Sequence, residues 1–327
     1  MDILTEDTSR FVMYPIVHKD LYARYEQQLA SFWTTKEVDL EGDSEGFDNL
    51  TEAEQTWLLR ILGFFAASDG LIIENIMMNF QLECKASEAR AFYSIQNAIE
   101  NIHSEQYSLL IEKFAPNAEK RRELFEAVDT HPTTKAKADW AIKRMARNKK
   151  EDLLTDFSKR LIAFACVEGI MFSSSFAAIF FLKNKARCQM PGLFLSNEFI
   201  SRDEGLHRDF ACDLYKHFPK LPKQDVEAIV RSAVELEQAF VRDILPDGTI
   251  QGMSQTLMCD YVEYVADHLV RALGYDNVYH TKLPALFSFM HAISLEGKSN
   301  FFERRVSEYS IAGIGEDDNS FGLDSSF

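Results

Sequence analysis

The chain has 327 residues, 46% of them hydrophobic, and a formal net charge of −16 at pH 7. This length and apolar content suffice for one large domain or two ordinary ones. Because so acidic a protein repels phosphate backbones and anionic lipid surfaces, we expect no nucleic acid and no membrane as a direct partner.

Helical patterns dominate the chain, and the alternation typical of strands is absent from the sequence. In the first half, Thr51 and Glu54 form a capping-box pattern that predicts a helix from there to about residue 84. Ser87 is predicted to cap the next helix, which ends at about residue 114. Two shorter helices are predicted over about 119–127 and 134–147.

The second half of the chain predicts four more helices, and the first of them, over about 152–184, is the most apolar. Pro191-Gly192 separates it from a helix over about 193–217. Pro222 opens a third, which ends before Pro246, and the last covers about 254–273.

The stretch from Leu161 to Leu182 is apolar or small throughout except for Glu168 near its middle. By length it could span a bilayer. That interpretation would place Glu168 near the middle of the membrane, and neither flank carries an aromatic belt. The stretch is therefore typical of a central helix in a large soluble bundle, in which a buried carboxylate needs a cation.

Glu-x-x-His occurs twice, at Glu100/His103 and at Glu204/His207, and each copy follows a lone carboxylate in an apolar run. On a helix, three residues advance the chain by about 300° and about 4.5 Å, so the Glu and the His project from one face. Each copy can therefore bind one metal ion. The candidate ligands are Asp69, Glu100, His103, Glu168, Glu204 and His207.

The charges of these groups match a pair of metal ions. Four carboxylates balance the four positive charges of two divalent ions, and neutral histidines add none. Carboxylate and imidazole ligands without a thiolate favour iron or manganese over a structural zinc site. Helical bundles that hold paired iron or manganese use this ligand set. The predicted fold is therefore all-α, a ferritin-like helical bundle with a buried dinuclear metal site and extra flanking helices.

The cysteines and the N-terminus indicate a cytoplasmic protein. The five cysteines are odd in number and scattered, and no two have Cys-x-x-Cys spacing, so we expect reduced thiols. The first residues lack the basic and apolar regions of a secretory signal. No glycine-rich phosphate loop occurs, so any nucleotide is expected to bind to a partner.

The sequences of several motifs, spread along nearly the whole chain, resemble those of one family. This family is the small, radical-generating subunit of class I ribonucleotide reductase, of the eukaryotic or large-DNA-virus type. The motifs that carry the resemblance are Ser31-Phe32-Trp33-Thr34, Phe64-Phe65-Ala66-Ala67-Ser68-Asp69-Gly70, Ala98-Ile99-Glu100-Asn101-Ile102-His103-Ser104-Glu105, Val167-Glu168-Gly169, Ser201-Arg202-Asp203-Glu204-Gly205-Leu206-His207 and Phe301-Phe302-Glu303-Arg304-Arg305-Val306.

The resemblance implies a role for each candidate residue. Asp69, Glu100 and His103 would bind one iron, and Glu168, Glu204 and His207 the other. Dioxygen would activate the pair and leave a stable radical on Tyr107. Trp33 would relay electrons between the surface and the metals, with Asp203 linking it to His103. An apolar wall beside the radical would consist of Phe172, Phe176 and Ile200.

The resemblance also implies how the subunit works with its partners. It would form a homodimer and dock on the large catalytic subunit through a flexible C-terminal tail, with Phe321, Leu323 and Phe327 as apolar anchors. Tyr309 would pass the radical across. The predicted organisation is an N-terminal arm over 1–30, the di-iron domain over 31–310 and the docking tail over 311–327.

Two alternatives stay open at this point. A related oxidase or oxygenase of the same fold would act on a small apolar substrate, but Tyr309 and the docking tail argue against it. A ferritin-like metal store or a scaffolding subunit would need neither Tyr107 nor Trp33. The leading interpretation is a subunit that stores a tyrosyl radical for the reduction of ribonucleoside diphosphates by its large partner.

Overall fold

The fold is that of a helical bundle, as predicted. The computed structural model describes residues 3–6, 11–185, 187–246 and 248–290. Within these ranges every regular element is helical and no strand occurs. The all-α prediction is therefore confirmed.

The helices follow one another with short connections. In the first half they are α1 (Lys19–Ala30), α2 (Asp43–Asp48), α3 (Glu52–Asn75), α4 (Gln81–Glu83), α5 (Ser87–Phe114), α6 (Ala118–Phe125), α7 (Ala127–Thr130) and α8 (Pro132–Met145). In the second half they are α9 (Leu153–Gly169), α10 (Ser173–Lys183), α11 (Pro191–Tyr215), α12 (Lys223–Ile244) and α13 (Gln255–Ala272). Short 3₁₀ turns cover Thr35–Glu37 and Ala285–Phe287.

The core is built from α3, α5, α9 and α11. Helix α3 packs along α5, α9 packs along α11, and α5 also contacts α11. Helix α1 lies across α5 and α11, while α8, α12 and α13 flank α9. Long helices packed in this way bury side chains from several distant parts of the sequence in one interior.

The start of α3 shows how local sequence fixes an element. The Thr51 hydroxyl accepts a hydrogen bond from the Glu54 backbone N–H, and the Glu54 carboxylate accepts one from the Thr51 N–H at 2.9 Å. This is the predicted capping box.

The prediction for α5 was wrong by one residue, because Ala86 is the N-cap and Ser87 is the first helical residue.

Two predicted continuous helices are interrupted in the structure. The helix from residue 51 to 84 contains a π-helical turn at Ile76–Phe80 between α3 and α4. The apolar helix over 152–184 is two helices, α9 and α10, separated at 170–172. At this break the Ser173 N–H and hydroxyl both donate to the Ile170 carbonyl, which closes the turn.

The predicted N-terminal arm over 1–30 contains a helix that the sequence did not suggest, α1. Its entry is fixed by Glu88 of α5, whose carboxylate accepts hydrogen bonds from the backbone N–H groups of Val17 and His18. The domain boundaries at 30 and 310 stay predictions.

Two stretches, Glu52–Glu83 and Leu153–Lys183, are long and apolar enough to cross a membrane by length and composition. In the second, 83% of the apolar window is buried inside the protein. Burial of this extent is typical of the core helix of a bundle, because a lipid-facing helix would expose its apolar side chains.

Candidate metal centre

The predicted ligands converge in the core from four different helices. Asp69 comes from α3, Glu100 and His103 from α5, Glu168 from the last turn of α9, and Glu204 and His207 from α11. Each is at most 4% exposed. They form two groups whose ligand atoms lie within 4.8 Å of one another: Asp69, Glu100 and His103 in one, and Glu100, Glu168, Glu204 and His207 in the other. Glu100 belongs to both groups and can therefore bridge two ions.

The imidazole and carboxylate groups face one another closely. The Nδ1 atom of His207 lies 2.9 Å from Oε1 of Glu100, and the Nδ1 atom of His103 lies 3.3 Å from Oε2 of the same carboxylate. His103 Nδ1 is also 3.3 Å from Oε1 of Glu204. Both histidines thus present Nδ1 to the cluster, and Glu100 has one carboxylate oxygen beside each ring.

The cluster contains buried polar atoms that lack a hydrogen-bond partner. Every one of the six ligand residues has a buried nitrogen or oxygen without a hydrogen bond of good geometry: Asp69 Oδ2, Glu100 Oε2, His103 Nδ1, Glu168 Oε2, Glu204 Oε2, and both ring nitrogens of His207. Buried polar atoms are rarely left unpaired in proteins. Lone pairs that converge without bonding one another are what a pair of cations requires, so the residues fit a dinuclear site.

The electrostatics of the cluster also favour the binding of positive charge. Burial, reinforced by Glu100, raises the pKa of Asp69 well above its usual range. Burial and the neighbouring Glu204 do the same to the pKa of Glu168. Burial lowers the pKa of His207, but Glu100 and Glu204 outweigh it and raise that pKa to about 9. Protons are thus drawn to the cluster, and divalent cations can replace them.

Asp203 joins Trp33 to His103 beside the cluster. The indole Nε1–H of Trp33 donates to Oδ2 of Asp203 at 2.7 Å, and Nε2 of His103 lies 3.2 Å from the same oxygen. The Trp33 and His103 rings are stacked with their centroids 6.1 Å apart. A histidine whose Nε2–H is held by a carboxylate keeps its Nδ1 lone pair for a metal.

The other oxygen of Asp203 is held by two residues that the sequence did not single out. Gln28 donates to Oδ1 at 3.2 Å, and a guanidinium nitrogen of Arg202 donates to it at 3.0 Å. Burial alone would raise the pKa of Asp203, but Arg202 and His103 outweigh it and hold that pKa below its usual value. Asp203 is therefore an ionised, fully buried acceptor. Gln28 lies in α1, which explains why this helix is part of the site.

Tyr107 lies four residues after His103 on α5 and is 4% exposed. Burial, with Asp69 and Glu204 nearby, raises the pKa of its phenol well above 10. The phenol therefore keeps its proton at physiological pH. Its ring is stacked on Phe65 at a centroid distance of 4.7 Å.

Phe65 connects Tyr107 to the predicted apolar wall. Its ring lies 5.0 Å from that of Phe176 and 5.8 Å from that of Phe172, measured between centroids. Phe172, Phe176 and Ile200 are all buried. The sequence predicted these wall residues but missed Phe65, because the contact depends on how α3 packs along α5.

Gln96 is a second buried neighbour of the ligands that the sequence did not single out. Its amide donates to Oε1 of Glu168 at 3.0 Å and to Oε1 of Glu100 at 3.4 Å. Its position four residues before Glu100 places it on the same helix face, and this spacing could have identified it. Tyr309, Phe321, Leu323 and Phe327 lie outside the described residues.

The chain is similar to the small chains of ribonucleotide reductase. The family model described as ribonucleotide reductase, small chain, matches residues 10–284. The ribonucleoside-diphosphate reductase small chain of Nicotiana tabacum is 49% identical over 95% of this chain and 92% of its own length. Subunit M2 of the same enzyme from Danio rerio is 48% identical over 99% of this chain and 82% of its own length.

A solved structure agrees with the sequence matches. The ribonucleotide reductase Rnr4 homodimer from Saccharomyces cerevisiae has a TM-score of 0.79 at 33% identity, and the match covers 94% of this chain and 92% of that one. With the buried carboxylate and histidine cluster, this likeness confirms the predicted ferritin-like bundle.

Proposed function

Since the chain belongs to the family of ribonucleotide reductase small chains, we propose that it generates and stores a radical on Tyr107 for ribonucleotide reduction by a large subunit. The observation that carries this proposal is the buried phenol on α5 beside two ligand groups that share Glu100. Metal storage does not require a buried, protonated phenol at that position.

Iron is the metal we propose for the site, with manganese as the alternative that the same donors accept. Asp69, Glu100 and His103 would hold one ion, and Glu168, Glu204 and His207 the other, with Glu100 able to reach both. The bound pair supplies the reduction of dioxygen and the oxidising equivalent that the protein cannot provide by itself.

The chain's own residues determine which side chain the oxidising equivalent reaches. Tyr107 would give one electron to that oxidant and its phenolic proton to the water formed from dioxygen, and would so become a neutral radical. Its burial and the ring of Phe65 keep water and reductants away from it. Asp203 keeps the Nε2 side of His103 paired and places the Trp33 indole at hydrogen-bond distance from the same carboxylate. This continuous contact offers electrons a path toward the metals.

Aerobic iron loading tests the proposal directly. We expect the metal-free protein to take up two iron ions per chain and to give a tyrosyl radical signal in electron paramagnetic resonance. Iron uptake without a radical would favour a metal store. Consumption of dioxygen with oxidation of an added apolar substrate would favour an oxidase.

Replacing Trp33 with phenylalanine is expected to lower reductase activity strongly in the presence of the large subunit, because the substitution removes the indole that donates to Asp203. The lost hydrogen bond should destabilise the protein by about 1 to 3 kcal/mol, since it leaves a buried carboxylate oxygen short of a donor. Activity with the large subunit and thermal unfolding measure the two effects.

Trp57→Phe is the matched control for this substitution. Trp57 is 2% exposed, and its indole nitrogen has no hydrogen-bond partner. Both variants lose a buried indole, but only Trp33→Phe breaks the contact to Asp203. Equal activity in the two variants would contradict the relay role of Trp33.

The partners that we propose are a second copy of the chain and the large subunit, in the cytoplasm. A homodimer is supported by the homodimeric yeast relative of the same fold. The acidic segment over 311–327 carries Phe321, Leu323 and Phe327 as apolar side chains that can anchor on a partner. Tyr309 lies just before this segment and is proposed to transfer the radical across the interface.

Deleting residues 321–327 is expected to abolish reductase activity in a mixture with the large subunit while leaving the Tyr107 radical intact. The deletion removes the three apolar anchors but no residue of the metal site. A variant with Ser325 and Ser326 replaced by alanine, which keeps the anchors, should retain activity. Full activity of the truncated chain would rule out docking through the tail.

A further inference from the structure

A second buried ionic cluster lies outside the metal centre. Lys137 of α8 and Glu237 of α12 are 3% and 0% exposed, and the Lys137 ammonium lies 2.6 Å from Oε2 of Glu237. The ammonium also lies over the rings of Phe64 and Phe240, at 3.7 and 3.9 Å from their centroids. Neither charged residue takes part in the chemistry proposed above.

Both charges are directed at the break between α9 and α10. Lys137 donates to the Met171 carbonyl at 2.7 Å, within the break itself. Glu237 accepts from the backbone N–H of Ser174 at 3.2 Å and from the hydroxyl of the same residue. The pair therefore satisfies one carbonyl and one N–H group that the interrupted helix leaves without an intrahelical partner.

This break separates two parts of the proposed radical site. Glu168 lies in the last turn of α9, two residues before the break, while Phe172 is the last residue of the break and Phe176 follows in α10. Phe64, beneath the Lys137 ammonium, has its ring centroid 5.5 Å from that of Phe172. A shift of the break would therefore move a metal ligand and the aromatic wall together.

Stability alone does not account for a pair of this kind. Removing two charges from water is costly, and replacing a buried ion pair by apolar residues of similar size often leaves stability unchanged or increases it. What an ion pair adds is directional bonding, and here that bonding is made to backbone groups at an irregular point of the core.

We infer that Lys137 and Glu237 are positioning residues that fix the α9–α10 break and thereby hold Phe172, Phe176 and Glu168 in place around the Tyr107 site. This inference rests on the proposed function for its consequence, but its structural part can be tested without metal. The pair touches neither the ligands nor the phenol.

Hydrogen exchange on the metal-free protein tests the structural part. In Glu237→Gln and Lys137→Met, amides over 171–176 should exchange about tenfold faster or more, while those of α5 stay at the wild-type rate. Asp156→Asn is the matched control, because it breaks another buried ion pair, 2.9 Å from Arg160, at the far end of α9. Wild-type exchange over 171–176 in Glu237→Gln would overturn the inference.

The double variant Lys137→Met/Glu237→Leu separates positioning from stability and also serves if the single variants fail to fold. We expect it to melt close to the wild type yet to show fast exchange over 171–176. After iron loading, its tyrosyl radical, measured per bound iron, should decay about tenfold faster or more. Wild-type exchange and decay in this variant would refute positioning. Absence of a radical in the wild type would instead refute the proposed function and leave the exchange result standing.

Discussion

Tyr107→Phe is expected to give a protein that folds, binds two metal ions and shows no tyrosyl radical. The substitution removes only the phenolic oxygen from a ring that is 4% exposed and stacked on Phe65. Without the O–H group the side chain cannot give up an electron and a proton together at an accessible potential. Reductase activity with the large subunit should fall to the background, because radical storage is the contribution that we propose for this subunit.

Tyr93→Phe is the matched control for this experiment. Tyr93 lies on the same helix, is fully buried, and has a hydroxyl without a hydrogen-bond partner. Its loss should leave both the radical signal and the metal content at wild-type levels. The two variants distinguish the effect of removing any buried phenolic hydroxyl from the effect of removing the one beside the candidate metal ligands.

Electron paramagnetic resonance after aerobic iron loading measures the outcome, and iron analysis on the same sample confirms loading. A wild-type tyrosyl signal in Tyr107→Phe would show that another residue carries the radical. Loss of the signal in both variants would point to a general loss of structure, which thermal unfolding would detect.

The convergence of the candidate ligands was predictable from the sequence because their spacing follows the helical period. Glu100 and His103 project from one face of α5 at a spacing of three residues, and Glu204 and His207 repeat this on α11. The lone carboxylates Asp69 and Glu168 stood out as charges in apolar runs. Charge and spacing are local properties, so one sequence is enough to reveal them.

The contacts between helices could not be predicted in the same way. The break between α9 and α10 is not visible in the apolar stretch from Leu161 to Leu182. The side chains that bond its backbone, Lys137 and Glu237, come from helices far away in the sequence. The stacking of Phe65 on Tyr107 and the bond from Gln28 to Asp203 depend on which helices pack together. Long-range packing of this kind leaves no local pattern in the sequence.

Replacing Glu100 with glutamine is expected to weaken metal binding at both positions, whereas Glu168→Gln should weaken binding at one. Glu100 is the ligand that the two groups share, with one oxygen 2.9 Å from Nδ1 of His207 and the other 3.3 Å from Nδ1 of His103. Glu168 belongs to one group alone. The amide keeps the shape of the side chain but has one oxygen instead of two and no charge.

Metal titration measures this difference in stoichiometry. Because even residues behind the ligands contribute tenfold to a hundredfold to metal affinity, we expect a loss of about a hundredfold or more, or about 2.8 kcal/mol, at each affected position. The gain in melting temperature on metal addition should disappear in Glu100→Gln and persist in part in Glu168→Gln, since stabilisation follows bound metal. Glu105→Gln on the exposed face of α5 is the control and should bind two ions as the wild type does. Two ions bound with wild-type affinity in Glu100→Gln would show that Glu100 does not bridge the pair.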